Sequence, residues 1–237
     1  MSTFFLIATL LLIKLITRTQ METSQTKKFA VLFATFIIPL LFFLFLASGK
    51  VNFEKLPTLT ERVQEISTNK TNTAFYGKVS VVSFVGGDVS LQKFQQTLNL
   101  YQVIYKYASK YKNFQIVTFV PAHKDSIIPL YKKELDLVGG TSIPKWHFVS
   151  LPEATIQEVL SSFETNANYD TDSGVSDVYI VDESLDLRGR TDDEDTESGL
   201  LFGYNTTSIA ILKNKLRDDL DVVFYESLFS VKEVNNE

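Results

Sequence analysis

The sequence predicts an α/β domain: a mainly parallel sheet with a terminal antiparallel hairpin, preceded by an N-terminal transmembrane helix. Three observations point there. One apolar run near the start carries no charge. Beyond residue 77, β-branched apolar segments alternate with segments of helical period. The last two strand segments are separated only by the turn Asp182-Glu183-Ser184 and are followed by an amphipathic stretch. The division that follows is an N-terminal segment 1–28, a membrane helix 29–48, a connector 49–76, a domain 77–230 and a tail 231–237.

From Phe29 to Ser48 the chain reads FAVLFATFIIPLLFFLFLAS, without a charged residue. A helix of that length covers about 30 Å, the thickness of a bilayer's hydrocarbon core. Pro39 lies inside the run and is tolerated in a membrane helix. Lys27 and Lys28 before it place that flank in the cytoplasm and the following domain outside the cytoplasmic membrane, on the periplasmic side. A cleaved signal peptide is the competing reading, but its apolar region is shorter, about 7–15 residues. A second apolar stretch from Phe4 to Ile16, broken by Lys14, is short for a span. It is either a second membrane helix or lies ahead of a true start at Met21.

In the connector, Thr58 or Thr60 is placed to cap a short helix through Ile66. KVSVVSFV (78–85), FQIVTFV (114–120), WHFVS (146–150) and DVYIV (177–181) read as buried strands. LDLRGR (185–190) pairs back as the antiparallel partner of the last. Ser90 opens a helix to about Tyr111, with Leu91, Phe94, Leu98, Tyr101, Ile104, Tyr105 and Ala108 on one face. Shorter helices are expected over 125–135 and 153–166, and Thr206 or Thr207 caps a final one to about Tyr225.

Composition excludes several chemistries. The sequence has no cysteine, so disulfides, thiol exchange and thiolate metal sites are ruled out. Its net charge of −5 argues against nucleic-acid binding. That charge is uneven: residues 52–237 hold 18 basic and 27 acidic residues, a balance of −9, against +4 ahead of them.

Tyr76-Gly77-Lys78-Val79 leading into VSVVSF resembles the opening strand of the Sco/SenC proteins of the thioredoxin-like superfamily. Val178-Tyr179-Ile180-Val181-Asp182 followed by Leu187-Arg188-Gly189-Arg190 is similar to that family's hairpin, and Leu216, Asp218, Asp219 and Leu220 to its closing helix. The resemblance covers about residues 75–228. It implies a thioredoxin-like fold held outside a membrane. In that family copper is bound by a C-x-x-x-C pair after the first strand and a histidine before the hairpin. Here the first position reads Val85-Gly86-Gly87-Asp88-Val89-Ser90 and the second Gly174-Val175-Ser176. No ligand carries over, so a redox-inactive binding or assembly module is expected, with no catalytic residue, no cofactor and an unspecified protein partner.

Other residues invite weaker readings. Asp192, Asp193 and Asp195, with Asp170 and Asp172 across the hairpin, offer carboxylates to a hard cation such as calcium; without the EF-hand pattern, such a run is ordinarily a solvated loop. His123 with Asp125, past the second strand, suggests an acid/base pair for a cysteine-independent hydrolase or transferase. His147 reads as a packed strand residue. Tyr101, Tyr105, Tyr107 and Tyr111 form an aromatic stripe, either core or a partner surface.

Overall fold

The structure is a computed structural model that describes residues 25–47, 55–66, 73–139 and 142–234. The chain divides into two compact units, 1–52 and 53–237. The first contains helix α1, Gln25–Ala47, with Pro39 inside it. Phe33, Phe36, Phe42, Phe43 and Phe45 all lie exposed on it. Among the described residues no helix is long and apolar enough to cross a membrane. The stretch of α1 with described side chains, 31–45, covers only about 22 Å at the helical rise.

The second unit is a mixed sheet with helices on both faces. Its strands are β1 (Thr58–Thr60), β2 (Val79–Phe84), β3 (Phe114–Pro121), β4 (Trp146–Leu151), β5 (Asp177–Val181), β6 (Leu187–Arg188) and β7 (Tyr204–Asn205). The spatial order is β1-β6-β5-β2-β3-β4, with β7 also on β5. Only β2–β3 and β3–β4 run parallel; β5 is antiparallel to β2, and the β6, β1 and β7 pairings are antiparallel too. The expectation of a mainly parallel sheet is therefore corrected to a mixed one. The chain does not recross the sheet after its fourth strand. It travels along loop 162–176 to the far end of β2 and descends beside it.

Helix α2 occupies 91–108. It is α-helical over Leu91–Leu100, widens to a π-turn over Tyr101–Tyr105 and resumes over Lys106–Ala108. A 3-10 segment, Ala122–Ile127, leads into α3 (Ile128–Gly139), and α4 is Glu153–Ser161. Helix α5 spans 209–234 with its own π-turn over Leu212–Leu216, facing that of α2. Its cap is Ser208, whose hydroxyl accepts from the Ile211 amide, rather than Thr206 or Thr207. Thr58 and Thr60 likewise start no helix. They form edge strand β1 against β6, and Leu56, Val63, Ile66 and Phe75 of the expected connector are buried in the domain.

Strand alternation divides the core. Val79, Val81, Ile116 and Ile180 face α2 and α5, meeting Leu100, Ile104, Leu216 and Phe224. Val82, Phe84, Val117, Phe119 and Tyr179 face α4, meeting Ile156, Leu160 and Phe163.

One buried cation ties the layers together. Arg188 on β6 donates from Nη1 to Asp182 Oδ2 at 2.8 Å, from Nη2 to Glu226 Oε2 on α5 at 2.6 Å, and from Nε to the Leu56 carbonyl at 3.0 Å. Glu226 Oε1 accepts the Leu56 amide at 2.9 Å. Asp182 Oδ1 closes the hairpin by accepting from the amides of Ser184 and Asp186. Replacing Arg188 with Met removes the charge that compensates the buried Asp182 and the half-buried Glu226. The expected loss is about 3–5 kcal/mol of unfolding free energy, read from urea titration; a loss below about 1 kcal/mol contradicts this role.

Candidate functional site: the closed end of β2

The family resemblance places a metal or redox loop between β2 and α2. The residues there are short and unreactive, and backbone hydrogen bonds fix their arrangement. Gly87 N donates to Thr171 O and Asp88 N to Asp172 O, both at 2.8 Å, while Val175 N donates to Phe84 O at 2.8 Å. The segment 170–175 thus lies on the end of β2 as a clasp. Its own turn is built by Asp170: Oδ1 accepts from Asp172 N at 3.1 Å and Ser173 N at 2.6 Å, and Gly174 N donates to Asp170 O at 2.7 Å. The amide of Ser173 holds the Asp170 carboxyl below its ordinary range.

Two glycines permit this approach. A Cβ on Gly86 would stand 2.1 Å from Asp172 O, and one on Gly174 2.4 Å from Phe84 O, with Gly174 at φ +64° besides. Tyr169 donates to Val85 O at 3.1 Å, and Thr171 donates to Glu153, so side chains brace both halves of the clasp. Asp88 Oδ1 accepts the Ser90 amide at 2.8 Å, placing a carboxylate at the start of α2. An anion at that helix end meets a negative charge.

Beneath the clasp lies a cavity of about 30 Å³ bordered by Ser83, Gln96, Thr118, Trp146 and Val175. Ser83 and Thr118 hydroxyls are 2.7 Å apart, and Trp146 Nε1 donates to Thr118 Oγ1 at 2.9 Å. That volume admits a water or two and no organic substrate.

The remaining sequence candidates fall elsewhere. His123 and Asp125 are exposed on the 3-10 segment, and no hydrogen bond or ion pair joins them among the described residues. His147 is half-buried on β4; burial, with Lys78 and Lys132 nearby, pushes its pKa below the usual value. Tyr101 and Tyr105 are core, and Tyr111 stacks on Phe224 with ring centroids 3.9 Å apart. Tyr131 is buried between Phe94 and Phe148 with no partner for its hydroxyl, and desolvation raises that hydroxyl to about 12. Among the described residues no three His, Asp or Glu side chains stand together as a metal-holding group. Asp170 is the turn-former of the clasp and Asp172 contributes its carbonyl. In the other loop Asp193 is buried against Lys215, whose Nζ donates to its carboxylate at 2.6 Å and to Asp195 at 2.7 Å, while Asp192 is exposed.

Sequence reasoning missed the clasp. Its local signal is the turn pattern of an Asp followed four residues later by Gly at 170–174. Its partner, Gly86-Gly87, lies over 80 residues away and is not legible locally.

No family model matches the chain, and no curated protein matches it in sequence. Solved structures do. BsSco, a member of the Sco family of cytochrome c oxidase assembly proteins, aligns at 16% identity over 72% of this chain and 98% of its own, with a TM-score of 0.50. The domain has the fold of the Sco/SenC proteins. A SCO1/SenC family lipoprotein from Bacillus anthracis str. Ames aligns at 14% identity over 71% of this chain and 99% of its own, with a TM-score of 0.49. The chain has this fold without a cysteine.

Adjacent glycines give a sharp test of the clasp. Gly86→Ala forces carbonyl and Cβ apart and breaks two or three buried hydrogen bonds, an expected cost of about 2–4 kcal/mol. In Gly87→Ala the new Cβ meets only the flexible end of Lys124, and the cost stays below about 1 kcal/mol. Equal costs in urea unfolding refute the geometry.

The second test is a pH dependence. Burial pushes the Asp193 carboxyl up, but the hydrogen bonds from Lys215 and the Asp195 amide, with the charges of Lys215 and Arg190, together outweigh it and the net shift is downward. A carboxyl depressed in the folded state stabilises above its unfolded value of about 3.9 and loses that contribution as pH falls through the folded value. Asp193→Asn is therefore less stable than the parent at pH 6, and the gap narrows as the pH is lowered below about 4. A gap that is constant with pH contradicts the ion pair.

Proposed function

We propose that this protein is a membrane-tethered, redox-inactive Sco-like domain that acts as a binding or assembly module outside the cytoplasmic membrane. The observation that carries the reading is the closed end of β2. Where the resemblance expects a thiol pair and a histidine, the chain offers two glycines, an aspartate and a carbonyl-to-amide clasp, over a cavity of about 30 Å³. Soft thiolates supply most of the affinity for Cu(I), and dithiol exchange needs two sulfurs. Neither is present in this sequence.

The tether is supported by the 23-residue helix Gln25–Ala47, most of whose apolar side chains between 31 and 45 stand exposed. A helix satisfies its own backbone in lipid, and phenylalanine and leucine surfaces of this kind are stable there. The assembly role in this reading is taken from the likeness to BsSco, a member of the Sco family of cytochrome c oxidase assembly proteins. The disulfide switch described for that protein has no counterpart in a chain without cysteine.

The full chain, purified in detergent, is expected to show no sub-micromolar Cu(I) binding in a chelator competition and no reduction of insulin by dithiothreitol above the uncatalysed rate. After expression it stays with membranes through alkaline carbonate extraction. Sub-micromolar Cu(I) affinity would overturn the redox-inactive reading, and release by carbonate the tether.

A further inference from the structure

The two edges of the sheet are built differently. Strand β1, at one edge, has three residues and an irregular register against β6. Strand β4, at the other, runs six residues in unbroken parallel register with β3. Proteins blunt exposed edges with short strands, bulges, lysine or proline. The first edge has two of these devices. In Trp146-His147-Phe148-Val149-Ser150-Leu151 there is no proline, lysine, arginine or carboxylate, and Pro144 and Pro152 stand only at its flanks.

The register fixes which backbone groups of β4 face outward. Ile116 N donates to Lys145 O at 2.8 Å. Alternate residues of a parallel strand bond to the same neighbour, so His147 and Val149 turn their amides and carbonyls to β3. Those of Phe148 and Ser150 turn away from it. Trp146 N is taken by Ile143 O at 3.0 Å. Among the described residues no bond reaches the Trp146 carbonyl or the amides and carbonyls of Phe148 and Ser150. A second copy, antiparallel about a two-fold axis at Phe148, meets this pattern with four hydrogen bonds. Two join Phe148 to Phe148 of the other copy, and each Ser150 amide donates to the other copy's Trp146 carbonyl.

Helix α3 favours a copy of this chain over a lone peptide. Tyr131 packs on Val120 of β3 and on Phe148 of β4, with the two ring centroids 6.2 Å apart, so α3 covers both strands. Lys132 Nζ stands 5.9 Å from the centre of the Phe148 ring, which turns that side of α3 toward the edge. Ile128, Lys132 and Asp136 recur every four residues along the same side. With strands about 4.8 Å apart, joining two β4 edges sets the two α3 helices about 10 Å apart, an ordinary packing distance. The two-fold axis makes the helices antiparallel, so Lys132 of each copy comes within reach of Asp136 of the other. Lys132 and Asp136 are exposed, and neither is in an ion pair among the described residues. A lone extended peptide would pair with β4 and leave this charged row uncovered; a second copy brings its complement.

We propose that this protein forms a two-fold dimer through β4, with the two sheets joined edge to edge and the two α3 helices side by side. The dimer requires neither the tether nor the assembly role proposed above.

The full chain in detergent is sedimented at about 1–100 µM, and a mass of two chains is expected toward the upper concentrations. Ser150→Pro removes an outward amide and leaves the ladder to β3 intact, so it should weaken the dimer at least about tenfold. Lys132→Glu should weaken it as well, and adding Asp136→Lys should restore it, because the reversed pair is complementary again. Melting curves establish that each variant is folded. If Ser150→Pro is not, the charge reversal and its rescue decide. The absence of native cysteine allows a single spin label on each copy. At Lys133→Cys, on the outer side of α3, dipolar coupling between copies is expected. At Thr207→Cys, next to β7 and three strands from the edge, none is expected. Monomer mass at about 100 µM overturns the proposal. So does a dimer that keeps its affinity in the folded variants and shows no coupling at position 133, which assigns the contact to another face or to α1.

Discussion

A short set of backbone hydrogen bonds, joining residues 84–88 to 171–175, directs the chain into β5 and closes the end of β2. The chain leaves α4, crosses to the end of β2 and lays its carbonyls on the amides of Gly87 and Asp88. From there it can only run back down beside β2, which makes β5 antiparallel. The contact that reverses the sheet also closes the end of β2. Glycine at 86 and 174 is the condition for both, because a Cβ at either place collides with a carbonyl oxygen.

The rest of the domain is arranged around that end. The β5–β6 hairpin continues from the clasp and is locked by Arg188 to α5 and to the incoming chain at Leu56. Arg190 repeats the device two turns along the helix, pairing with Asp219, which also accepts from the buried Tyr204 hydroxyl at 2.6 Å. Lys215 fastens the acidic loop by the same means. Three cations from the hairpin and last helix are thus consumed in holding the fold.

Much of the fold was legible in the sequence. Runs such as VSVVSF and FQIVTFV are apolar on both faces, and only a strand covered on both sides buries them all. The family hairpin was readable because Asp182 and Arg188 lie close in sequence. What failed was whatever depended on distant partners. Thr58 and Thr60 suit a helix cap as well as an edge strand, and β6, some 130 residues on, decides between them. The acidic loop read as open carboxylates because Lys215 lies 22 residues beyond Asp193. Asp170 and Asp172 had the look of cation ligands, but their turn faces a pair of glycines that local pattern cannot connect to them. The closed end of β2 was not legible at all, because its two halves, 84–88 and 170–175, are joined only in the fold.

Amide hydrogen exchange of the full chain in detergent micelles tests the central claim most directly. If the clasp holds as described, the amides of Gly87, Asp88 and Val175 exchange as slowly as those in the middle of β2, opening only with the domain. Exchange at these three positions near the rate of an unstructured peptide, while β2 stays protected, would mean that the end of the strand stands open and that its chemistry is not settled by its backbone.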